Sequence, residues 1–226
     1  EYCANGLISV WPATHQIYSG NIVTHIGDLS WDKRSYVDRE GIAIAAFKAP
    51  APADMYITVE NNTISYVGND ADTNNMGFFN FDSSSNIIRY NNIHHSSKVG
   101  LMISDGAAAT GQNLQVYYNL IHDNGGSAST IDNSYSSFHG GLVIKNNNGR
   151  GMDGTKVYNN VIYNNNGMNA SDDEKAGGLQ IYKNFDAVQD APINVKNNIV
   201  FNNFPYQFRM RTGSSGFTNL VLNNNL

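Results

Sequence analysis

Valine and isoleucine recur in this chain at a fixed offset from asparagine. The template is Val/Ile, two variable residues, Asn, one variable residue, then Ile/Val. It is read at residues 59–64 (VENNTI), 88–93 (IRYNNI), 116–121 (VYYNLI), 157–162 (VYNNVI) and 195–200 (VKNNIV). Upstream, residues 17–22 (IYSGNI) fit with Gly20 in the Asn place, and residues 221–224 (VLNN) begin a further copy. The anchors Gly20, Asn62, Asn91, Asn119, Asn160, Asn198 and Asn224 lie 42, 29, 28, 41, 38 and 26 residues apart. The spacings near 28 read as a bare unit and the long ones as the same unit with a loop inserted.

A second pattern alternates strictly with the first: a Gly, then apolar residues at every other place. Its copies are GLISV from Gly6, GIAIA from Gly41, GFFNF from Gly77, GLMIS from Gly100, GLVIK from Gly141 and GLQIY from Gly178; QFRMR from Gln207 lacks the Gly. Each unit therefore predicts three short strands: one after the Gly, one ending just before the Asn and one beginning just after it. Alternation directs Ile42, Ile44, Leu101, Ile103, Leu142, Ile144, Leu179 and Ile181 inward, with the Val/Ile three before and two after each Asn. Strands this short cannot bury a face alone. Stacking the units in register builds parallel sheets around one continuous apolar core.

The pair of motifs, V-x-x-N-x-I followed by G-[LI]-x-I, resembles the right-handed parallel β-helix of the pectate-lyase-like superfamily over nearly the whole chain. The resemblance implies an all-β solenoid of about seven coils, one domain over residues 1–226. It also implies an asparagine ladder in the tight turn between the second and third strands, where Asn tolerates left-handed geometry and satisfies buried backbone groups. Neither end supplies a polar cap, so the expectation is a piece of a longer β-helix, or an end covered by another chain. In the resembling superfamily, substrate lies in a groove beside the first sheet, walled by the loops. The motif sets of its two best-marked branches are missing. FHGG at residues 138–141, Asp172-Asp173 and Trp31-Asp32 are fragments of them, and no catalytic residue carries over.

Composition narrows the function. Charged residues are 15%, and the chain holds 34 Asn, so amides rather than charges carry its polarity. The net charge of −5 and the lack of any Lys/Arg run argue against a nucleic-acid partner. No apolar run approaches the ~20 residues of a membrane span. A single cysteine, Cys3, excludes an internal disulfide framework. Of two glycosylation sequons, Asn61 falls in the turn ladder and is a poor acceptor, and Asn169 falls in a long loop.

Candidate chemistry falls into three groups. The segment before each Gly varies most, and residues 27–40, 67–76, 123–139 and 164–176 are the insertions expected to wall a binding face. Outward positions of the Gly-led strands are Ala43, Ala45, Phe79, Phe81, Met102, Ser104, Val143, Lys145, Gln180, Tyr182, Arg209 and Arg211. Lys145, Tyr182, Arg209 and Arg211 would make a basic and aromatic stripe for a carboxylated or sulfated sugar chain. His94 and His122 occupy equivalent places on adjacent coils, and with His95, Lys98, Asp123 and His139 they are expected to meet at one rim. A His, Lys, Arg or Tyr there would take the proton α to a uronate carboxylate, and a Lys or Arg would neutralise that carboxylate. The catalytic candidates are His139, Lys145, His122 and Arg209; the substrate-binding ones are Tyr182, Arg211, Gln180, His95 and Asp123. Third, Asp70 and Asp72, like residues 172–174, bring carboxylates close enough to suit Ca²⁺, the one cofactor the sequence points to.

The expected protein is an extracellular or cell-surface lyase cleaving an acidic polysaccharide by β-elimination. Two other readings stay open. One is a glycoside hydrolase using loop carboxylates such as Asp132 and Asp172. The other is a non-catalytic spike, adhesin or shaft that meets a second copy, or further β-helix coils, through Phe79, Phe81 and Met102.

Overall fold

The computed structural model describes residues 6–10, 12–27, 38–46, 53–68, 74–104, 113–126, 138–146, 152, 154–167, 175–183, 192–212 and 220–226. These residues wind into three long parallel sheets and a small fourth one, in which Ala53–Asp54 pairs with Ser83–Ser84. The first has seven strands: Leu7–Val10, Asp38–Ala45, Asn74–Phe81, Val99–Ser104, His139–Asn146, Lys175–Lys183 and Phe208–Thr212. The second also has seven: Ile17–Ser19, Thr58–Glu60, Ile87–Arg89, Gln115–Tyr117, Lys156–Tyr158, Ile193–Lys196 and Leu220–Asn223. The third has six: Ile22–Ile26, Thr63–Val67, Asn92–His94, Leu120–His122, Val161–Tyr163 and Ile199–Phe201. Each strand pairs with its counterpart one coil away, so the fold is a parallel β-helix. The interior is one apolar column, in which Ile42, Ile44, Leu101, Ile103, Leu142, Ile144, Leu179 and Ile181 all point inward as the alternation predicts.

The asparagine ladder runs through the turn between the second and third sheets. Asn119 donates its backbone N–H and its amide to Asn160 Oδ1, both at 3.0 Å, and Asn160 does the same to Asn198. Each ladder amide also donates back to the coil before it, as Asn160 Nδ2 does to Val116 O at 3.0 Å. Backbone groups in a tight buried turn have no strand partner, and the amide supplies one.

At both ends the register differs by one residue from the sequence reading. The left-handed residue is the one before the ladder Asn: Gly20, Asn61, Tyr90, Tyr118, Asn159, Asn197 and Asn224 all have positive φ. The terminal rungs are therefore Asn21, whose N–H and amide both reach Asn62 Oδ1 at 2.9 Å, and Asn225, which accepts from Asn198. Ile17 and Ile22 are accordingly 70% and 79% exposed, while Val23 is buried and Tyr18 packs on the core. Leu222, rather than Val221, pairs with Val195. Asn61 is likewise an exposed turn residue and not a rung, because Asn62 makes the ladder bonds.

A second ladder, which the repeat template does not mark, crosses the turn between the third and first sheets. Ser96 N–H donates to Asn124 Oδ1 at 3.0 Å, Asn124 to Asn165 at 2.9 Å, and Asn165 to Asn203 at 2.9 Å. Its rungs follow the first ladder by five places at Asn119/Asn124, Asn160/Asn165 and Asn198/Asn203. This spacing was open to sequence reading.

The recurrent glycine sits where this turn meets the first sheet. A Cβ on Gly141 would stand 2.7 Å from Asn165 Nδ2, 2.8 Å from Gly178 O and 2.8 Å from Ile162 Cγ2. Gly100 and Gly77 meet the same kinds of atom, so the corner closes only around a hydrogen. First-sheet strands also begin up to three residues before this glycine, as at Asp38 before Gly41, rather than after it.

Candidate functional site

The first sheet places the stripe residues in line. Lys145 pairs with Tyr182, and Tyr182 with Arg211; in the neighbouring line Val143 pairs with Gln180, and Gln180 with Arg209. Parallel strands stand ~4.8 Å apart, so these side chains follow one another along the helix axis. The Lys145 ammonium lies over the Phe138 ring at 4.8 Å, Phe138 meets Tyr182 edge-on at 5.4 Å, and the Arg211 guanidinium lies over Tyr182 at 5.0 Å. Arg209 covers Tyr206 in the same way at 5.0 Å. Cation–π contact holds these charges at fixed heights above the sheet.

This face is more covered than alternation alone implies. Val143, Met102, Ala43 and Ser104 are buried, and Lys145 is only 8% exposed. Met76, Val99, Met102, Phe138 and Val143 form a second apolar cluster, with Phe79 and Tyr182 packed against it. Apolar positions stacked on successive coils bury one another when aromatic side chains fold over them. For the same reason Phe79, Phe81 and Met102 are not an exposed strip: the two phenylalanines are half-buried against each other at 5.5 Å, and Met102 is buried.

Gln180 and His139, both on this sheet, break the usual rule that buried polar atoms are paired. Gln180 is fully buried, and neither its Oε1 nor its Nε2 has a hydrogen-bond partner. His139 is 1% exposed, and its Nδ1 is unpartnered as well. Burial, reinforced by the Lys98 ammonium, pushes the His139 pKa down to about 4. The imidazole is neutral at pH 7.

The sequence-predicted residues do not form one centre. His139 and Lys145 lie six residues apart, towards opposite ends of one strand. His139 lies beside buried Lys98, whose carbonyl accepts from Gly140 N at 2.9 Å. His122, His95 and Asp123 belong to the third sheet and its following turn. There His94 stacks on His122 at 5.0 Å, and His122 Nδ1 contacts Asp123 Oδ2 at 2.6 Å. His122 Nε2 lies 2.9 Å from Asn92 Oδ1. The expected common rim is thus two places: a buried pair, Lys98 and His139, and a solvent-reached group, His94, His95, His122 and Asp123.

Asp70, Asp72, Asp132 and residues 172–174 lie outside the described residues. Among the described residues no group of three or more His, Cys, Asp or Glu side chains is arranged to hold a metal ion.

The second sheet carries functional-looking residues that sequence reading passed over. Arg89 donates to Glu60 Oε2 at 2.7 Å and to the Tyr117 hydroxyl at 3.0 Å. Tyr117 stacks on Tyr158 at 4.8 Å, and Tyr90 on Tyr118 at 5.3 Å. Rings stacked on each other spend their faces internally, which fits a structural clasp better than a sugar platform.

Fold and site together define the class: a right-handed parallel β-helix protein with a cationic, aromatic line on one sheet. A family model described as the right-handed β-helix region matches residues 51–153. No curated protein matches the sequence. Among solved structures, the A-module of a mannuronan C-5 epimerase from Azotobacter vinelandii aligns over 98% of this chain at 13% identity, with a TM-score of 0.35. The alignment spans 58% of the length of that chain.

Proposed function

We propose that this is an extracellular protein that takes an acidic polysaccharide along the outer face of its first sheet and cleaves it by β-elimination. The observation that carries the reading is Gln180: a fully buried amide without partners, set between the Lys145–Tyr182–Arg211 line and Arg209. An orphaned buried amide costs about 1–3 kcal/mol. A sugar hydroxyl or carboxylate would satisfy it once the side chains packed over it part to admit the glycan.

In this reading Arg209 and Arg211 bind the uronate carboxylate and stabilise the charge that builds on it as C5 loses its proton. The C5–H bond breaks toward Lys145 Nζ, after its ammonium has released a proton to solvent. The electron pair becomes the C4–C5 double bond. The C4–O4 bond breaks, and the Tyr182 hydroxyl protonates the departing oxygen. His139, buried towards the other end of the strand, takes no part in this step.

The test is incubation of the full chain with a panel of polyuronates and sulfated glycans, following ultraviolet absorbance of unsaturated ends. Lys145→Met and Arg211→Ala should each slow its rise by about a hundredfold, or about 2.7 kcal/mol. New reducing ends without the chromophore would replace the lyase by a hydrolase. Binding without any cleavage would leave a non-catalytic glycan-binding shaft. Unchanged rates in both variants would remove the site.

A further inference from the structure

Four of the six histidines, His25, His94, His95 and His122, gather on the outer face of the third sheet and the turn that follows it. His25 stacks on Tyr66 at 5.0 Å, Tyr66 on His95 at 4.8 Å, and His94 on His122 at 5.0 Å. Tyr163 continues the second stack at 4.9 Å. The Nδ1 atoms of His94 and His95 stand 2.7 Å apart, so one ring donates and the other accepts. His95 and Tyr66 are exposed, and His94, His122 and Asp123 are half-buried.

Among the described residues, Asp123 is the only acidic side chain in this contact group. The other groups facing it are Thr24, Ser65, Asn92, Asn164 and the Tyr66 and Tyr163 phenols. We infer that this face is a second docking surface for an anionic glycan, one that grips its ligand more tightly as the medium turns acidic. The inference takes its ligand class from the function proposed above, but uses a different sheet.

The argument is a count of protons. The Nδ1–Nδ1 contact of His94 and His95 holds one proton. A second sets N–H against N–H, and the rings must part and turn donors toward solvent. The His122 proton is already matched by Asp123. Further protons therefore leave positive charge on adjacent coils, ~4.8 Å apart, with no further carboxylate among the described residues to meet it. Burial and the neighbouring His122 and His95 charges hold the His94 pKa below its ordinary value, which is the strain an anion relieves. By linkage, an anion that raises one imidazole pKa by one unit binds up to about tenfold more tightly once that ring is charged.

The experiment measures Kd for immobilised dextran sulfate at about pH 7.5 and about pH 5.5, at fixed ionic strength. The proteins are the full chain, His94→Gln/His95→Gln, Arg211→Ala and His15→Gln, whose ring stacks on Tyr56 in a separate turn. The native chain should bind about tenfold more tightly at the lower pH, and His15→Gln should keep that gradient. The double variant should lose the gradient while keeping its affinity at neutral pH. Arg211→Ala should weaken binding at both pH values and keep the gradient. No gradient in the native chain, or a full gradient in a folded double variant, overturns the inference. An unaltered Arg211→Ala variant counts against the first-sheet site alone. Should the double variant fail to fold, imidazole NMR titrations of the native chain decide. The His94 and His95 midpoints must rise with dextran sulfate present, and unmoved midpoints overturn the inference.

Discussion

Desolvation at His139 costs the imidazolium its water and gives nothing back, so the folded chain holds this ring neutral down to about pH 4. Above about pH 6.5 neither folded nor unfolded chain protonates it. Between pH 6.5 and 4 the unfolded chain binds the proton and the folded chain does not, so stability falls as pH falls. Below that window the effect is complete, at roughly 3 kcal/mol. The variant His139→Phe should show a flatter loss of urea stability across this window than the native chain; parallel curves would refute the assignment. The sequence placed His139 correctly before its glycine. It did not show the burial, because that depends on what the fold packs around the ring, Lys98 of the preceding coil among it. The opposite holds for His94 and His122. Their pairing was legible, since equal distances from Asn91 and Asn119 put them on equivalent rungs.

Each coil corner depends on one glycine and two amides. In Gly141→Ala, the added methyl meets an amide nitrogen, a carbonyl oxygen and a core methyl, all closer than 3.0 Å. Neither the backbone oxygen nor the packed Ile162 can move without disturbing the next coil. Overpacking of this kind should cost about 2 kcal/mol, lowering Tm by about 4–8 °C. Gly126→Ala, with no heavy atom near its Cβ position, should leave Tm unchanged in the same thermal melt. Sequence reading found this glycine at six of seven first-sheet strands but could not give its reason. The reason is the second ladder, whose Asn165 amide fills the space a side chain would need. That ladder is marked in the sequence only by its constant five-place offset from the first, which a template centred on one Asn does not include.

At the scale of the molecule, each coil touches only the coils before and after it, so stability is a sum over neighbours. Strands Ile88 and Val116 belong to have a paired strand on both sides; Leu7–Val10 and Leu220–Asn223 have one. Amide hydrogen exchange should therefore be slowest in Ile87–Arg89, Gln115–Tyr117 and Lys156–Tyr158 and fastest in the two outermost strands. Uniform protection from end to end would contradict a nearest-neighbour solenoid.

The sequence by itself determined the winding, the inward residues of the middle coils, and which residues stack on which. All of these follow from a repeat distance and from the two-residue period of a strand, both properties of the chain alone. Exposure was decided only by tertiary structure. Lys145, Tyr182 and Arg211 fall in line as their spacing requires, yet whether such a line meets solvent depends on what packs above it. The same holds for Gln180, whose amide reads as ordinary polarity in the sequence and becomes a buried, unpartnered group only when the coils close around it.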